Sequence, residues 1–110
     1  MSTLAAKTPA KLLPRVPAWL AALLDGNARK NDKHGVSMAE AEQVFFNAPL
    51  LLLEDGVHSV QERRLHALGK TGDARLLHIS FTLRRAGALI RVISARDMHR
   101  KEKSVYEQAD

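Results

Sequence analysis

From Arg75 to Leu83 the chain alternates without a break. Leu77, Ile79, Phe81 and Leu83 fall on one side, and His78, Ser80 and Thr82 on the other. A strict period of two marks a β-strand with one buried face. It commits the chain to a sheet that another layer must cover. Three further runs read as strands: Leu50–Glu54 after Pro49, Arg63–Lys70 up to the turn Thr71-Gly72, and residues 88–93 after Ala86-Gly87. The links between the last three are too short for crossover helices, so they predict an antiparallel meander.

Three helices are expected around this sheet. Residues 16–24 form an apolar run with Pro17 in its first turn, stopped by Asp25-Gly26-Asn27. Ser37 with Glu40 three residues on is a capping-box pattern, and it opens a helix over 38–46. Ser94 with Asp97 suggests a second box opening a helix over 95–108. The expected fold is α+β, an antiparallel four-stranded sheet packed with two N-terminal helices and one C-terminal helix. At 110 residues the chain can bury one modest core. Residues 1–15 read as a flexible tail and 16–110 as a single domain.

Composition removes several kinds of chemistry. Without cysteine there is no disulfide, thiolate metal site or thiol nucleophile. The apolar runs at 19–24 and 50–53 fall well short of the roughly 20 residues that span a bilayer. With no secretory signal at the start, the expectation is a soluble, cytoplasmic protein that makes no membrane contact. His34, His58, His66, His78 and His99 keep no metal-ligand spacing, so neither a metal nor a cofactor is expected. His66 and His78 lie on different expected strands and can be neighbours, but a loose pair of this kind more often belongs to surface or core. Among the aromatic residues only Phe81 sits inside a strand, on the apolar side, which disfavours a base-stacking platform.

Charge points to a partner. Lys and Arg number 17 against 12 Asp and Glu, a net charge of +5. The excess is concentrated between residues 84 and 103, where seven basic side chains face two acidic ones. Such a segment suits a polyanion or an acidic protein, or is simply a solvated helix face. RNA can be cut without metal when a base takes the 2′-hydroxyl proton, an acid serves the leaving oxygen, and Arg or Lys holds the phosphorane charge. His58 and Glu62, then Arg64, Arg91 and Arg96, then Tyr106 are candidates, with roles left open by composition. Arg91 interrupts an apolar strand, a cost that a binding role would explain. Arg100 and Lys101 suit a solvated face or steering of an RNA backbone.

Three segments carry a family resemblance. The first is Lys33-His34-Gly35-Val36-Ser37, followed by Glu40-Ala41 and Val44-Phe45. The second is Asp55, His58-Ser59, Glu62 and Arg64. The third is Ile90-Arg91-Val92-Ile93-Ser94-Ala95-Arg96, with Glu102 and Tyr106-Glu107. In this order and spacing they resemble the BrnT toxins, the ribonuclease half of a bacterial type II toxin–antitoxin pair. The resemblance implies a RelE-like fold, RNA as substrate, and neutralisation by a BrnA-type antitoxin, through which alone DNA would be met. Carried onto this chain, it implies catalysis by His58, Glu62, Arg64, Arg91 and Arg96. It implies RNA contact by Lys33, His34 and Tyr106, to which the basic face at Arg100 and Lys101 adds its steering. The family usually opens with a strand bearing Trp-Asp, whereas Trp19 here precedes Leu20. A member that has lost cleavage and only binds its antitoxin or a nucleic acid is therefore the alternative. A structural subunit docking through residues 16–24 is a third reading.

Overall fold

The computed structural model describes residues 10–13, 35–55, 63–84 and 89–109. Along them run β1 (Ala10–Leu13), α1 (Met38–Val44), β2 (Leu50–Glu54), β3 (Arg63–Lys70), β4 (Leu76–Arg84), β5 (Leu89–Asp97) and α2 (Arg100–Gln108). The strands form one antiparallel sheet in the order β1-β2-β3-β4-β5. The four expected strands are contiguous in it. Short β1 pairs along the outer edge of β2, so this part of the presumed tail is held in the sheet. Two helices are described where three were expected, and the one expected over 16–24 lies outside the described residues.

Alternation sets the first face. Leu77, Ile79 and Phe81 of β4 pack with Ala67 of β3 and with Ile90 and Val92 of β5. α1 closes this core from above through Ala41, Val44 and the adjoining Phe45, which meets Phe81 edge-to-face at 5.3 Å and 86°. Gly69 lets the helix come this close, because a Cβ there would lie 2.7 Å from Val44 Cγ1. Ser37 caps α1 as expected: its hydroxyl accepts from the Glu40 amide, and the Glu40 carboxylate accepts from the Ser37 amide. Arg75 clips three elements together. It donates to Asp97 at the end of β5, to Glu40 of α1, and to the Gly35 carbonyl before α1.

The second face is mixed. Leu51 and Leu53 of β2 and Leu68 of β3 make an apolar patch covered by Met98 and Tyr106. The Tyr106 hydroxyl donates to the Pro49 carbonyl at 2.6 Å, which ties α2 to the entry of β2. Beyond this patch the described residues of this face on β3, β4 and β5 are polar apart from Leu89.

The C-terminal boundary departs from expectation. β5 does not stop at residue 93, and no helix starts at 95. Ser94, Ala95, Arg96 and Asp97 continue the strand, opposite Ser80, Ile79, His78 and Leu77. β4 offers backbone partners along its full length, and Ala95 gains a place in the core. The helix begins at Arg100 instead, where the Glu102 carboxylate accepts from the His99 amide at 2.9 Å. Ser94 caps nothing, and Asp97 serves Arg75.

Candidate active site

The polar half of the second face is laid out by strand register. Arg64, Thr82 and Arg91 form one cross-strand row, with Thr82 between the two arginines. His66, Ser80 and Ser94 form the next row, and Leu68, His78 and Arg96 the third. A bulge makes this possible. Between Ser80 and Phe81 the register shifts, and Ile93 is the extra residue on β5. Arg91 and Arg96 are five apart and would fall on opposite sides of an unbroken strand. The bulge resets the alternation, so both share the face with the histidines. Thr82 Oγ1 is buried there with no hydrogen-bond partner among the described residues.

Around these rows runs a hydrogen-bonded network. His66 Nε2 lies 2.9 Å from Asp55 Oδ2, and its Nδ1 lies 3.0 Å from Ser80 Oγ. Its ring lies beside that of His78, with centroids 4.9 Å apart and planes tilted by 33°. Arg96 donates to both carboxylate oxygens of Glu102 at 2.8 Å, a bidentate pair that joins β5 to α2. Burial alone would raise the Glu102 carboxyl. The Arg96 hydrogen bonds, the His99 amide and the nearby positive charge overcome it and hold the group down at about 2. Burial pushes His78 down to about 4, and the Arg96 charge adds to this. His78 is therefore neutral near pH 7.

Of the residues expected in the site, Arg64, Arg91 and Arg96 are brought onto one face. Arg64 and Arg91 are half-buried. Arg96 does not stand in a helical first turn, as expected, and its guanidinium is occupied by Glu102. Tyr106 is a core residue of the second face. Arg100 and Lys101 are exposed on the first turn of α2. Lys33, His34, His58 and Glu62 lie outside the described residues. Sequence reasoning passed over His66, Ser80 and His78 as site residues, although their places on the polar side of β3 and β4 follow from alternation. Among the described residues, no three His, Asp or Glu side chains cluster in a way that can hold a metal ion. No helix there is long and apolar enough to cross a membrane.

Comparison with known families matches residues 25–102 to the model described as "Ribonuclease toxin, BrnT, of type II toxin-antitoxin system". The chain belongs to the BrnT family. This match takes in well over half of the chain, including α1, β2 to β5 and the polar face. Membership makes the chain a ribonuclease toxin of a type II system and implies an antitoxin partner. No curated protein and no solved structure matches the chain.

Proposed function

We propose that this BrnT protein cleaves RNA without a metal ion, on the polar half of the second sheet face. The observation that carries this reading is the row Arg64–Thr82–Arg91. Two arginines separated by one strand have backbones about 10 Å apart, and their long side chains can converge on one phosphate between them. The Thr82 hydroxyl, buried and without a hydrogen-bond partner among the described residues, stands between them in the row. In the reaction the 2′-oxygen loses its proton and bonds to phosphorus, the phosphorus–5′-oxygen bond breaks, and the 5′-oxygen gains a proton. Arg64 and Arg91 hold the charge that develops on the phosphorane. Arg96 braces the face through Glu102, while His58 or Glu62 serves proton transfer. Lys33, His34, Arg100 and Lys101 guide the RNA backbone.

The remaining parts of the reading follow from the family. The scaffold is RelE-like, residues 16–110 act as one domain with β1 paired onto its sheet, and the protein works in the cytoplasm. A BrnA-type antitoxin neutralises it and supplies any contact with DNA. The test is RNA cleavage by purified wild-type and Arg91→Ala protein, in EDTA, with folding checked by circular dichroism. Wild-type cleavage that persists in EDTA and falls about 100-fold or more in the variant supports the proposal. Equal cleavage by both moves the site elsewhere. No cleavage by folded wild-type protein overturns the reading and favours a member that only binds.

A further inference from the structure

One row away from the arginines, Asp55, His66 and Ser80 form a directed chain. The Asp55 carboxylate can only accept, so the hydrogen of the neutral His66 ring sits on Nε2. Nδ1 then carries the lone pair and accepts from the Ser80 hydroxyl. If the ring gains a second proton, Nδ1 donates and the Ser80 oxygen accepts. The hydroxyl rotates to suit either state, so this contact survives both. Asp55, which is only 12% exposed in its side chain, fixes the tautomer and orientation of the ring.

The surroundings permit that charge change. His78 lies beside His66 but stays neutral, so no second imidazolium opposes it. Arg96 is neutralised by Glu102, and Arg64 lies two residues along β3 on the same face.

We propose that His66, oriented by Asp55, takes the RNA 2′-hydroxyl proton through the Ser80 hydroxyl. This rests on the cleavage reading above and adds to it a proton-transfer group. The 2′-hydroxyl gives its proton to Ser80 Oγ as Ser80 passes its own to His66 Nδ1, and the freed 2′-oxygen bonds to phosphorus. The 5′-oxygen leaves with a proton from the acid of the cleavage reading, and the proton on His66 returns to that acid through water, which resets the ring. The products are a 2′,3′-cyclic phosphate and a 5′-hydroxyl.

The experiment is a pH–rate profile of RNA cleavage for wild-type, His66→Gln, Ser80→Ala and Asp55→Asn proteins, with Arg63→Ala as the control. Wild-type activity falls on the acid side as the ring becomes protonated and stops accepting. His66→Gln and Ser80→Ala lose about 100-fold or more in kcat, with KM little changed, and His66→Gln also loses the acid limb. Asp55→Asn lowers kcat by less, because His66 Nε2 loses the carboxylate that orients the ring, and Arg63→Ala behaves as wild-type. If wild-type cleaves and folded His66→Gln keeps its rate and its limb, this inference is overturned while the cleavage reading stands. If His66→Gln does not fold, Ser80→Ala decides: an unchanged rate and profile overturn the relay. Absence of cleavage by folded wild-type overturns both readings.

Discussion

On the α1 side of the sheet, apolar side chains from four adjacent strands, β2 to β5, form one core, and the helix seals them. On the α2 side the apolar patch ends at Leu68, and beyond it come histidines, hydroxyls and arginines. The same strands supply both faces. One face is used for stability throughout. The other gives half its area to holding polar groups in fixed register. A polar row on a rigid sheet keeps its geometry because the opposite face secures the strands, so binding groups need no packing of their own.

Substitutions can break this contrast, and the largest effect belongs to the sealed face. Phe45→Ala removes a fully buried ring that meets Phe81 and costs about 3–5 kcal/mol by chemical denaturation. A loss below about 1 kcal/mol would mean that α1 does not seal the core.

Acid titration probes the mixed face. His78 is held at about 4 in the folded protein, against 6.5 for the free side chain. The unfolded chain takes up the proton first, so stability is full above pH 6.5 and falls as pH drops towards 4. This group contributes about 3 kcal/mol to that fall, and His78→Asn flattens the stability curve over the window. Glu102 is held at about 2 against 4.5, so its contribution is full above pH 4.5 and is lost as pH falls towards 2.

Smaller effects sharpen the comparison. Arg96→Ala leaves the Glu102 carboxylate without its bidentate partner and costs about 1–3 kcal/mol. The same change loosens α2 in hydrogen exchange while the α1 side stays protected. Ser37→Ala removes the α1 cap and costs about 1 kcal/mol in denaturant unfolding. Arg63 pairs with Glu54 at the surface, so Arg63→Ala changes stability by less than about 1 kcal/mol.

Much of this was legible along the chain. The strands at Leu50–Glu54 and Arg63–Lys70 have the expected bounds, β4 differs by one residue at each end, and the Ser37 cap is in place. These features depend on neighbouring residues, through alternation and capping. The end of β5 was not legible, because Ser94 and Asp97 carry a helix-start signal that the pairing with β4 overrides. The Asp55–His66–Ser80 chain was hidden for a similar reason: its members come from three strand contexts and meet only through register.

The sequence by itself determined the α+β class, the antiparallel order of the four main strands, which side of β4 carries the apolar core, and the family. Those follow from local period, turn chemistry and motif spacing. That the polar side, His78, Ser80 and Thr82, is buried too came from the fold. Only the tertiary structure decided that Arg91 and Arg96 share a face, that Arg96 is taken up by Glu102, and that His66 stands between a carboxylate and a hydroxyl. A bulge is set by how two strands bond, and one extra residue reverses the facing of everything after it.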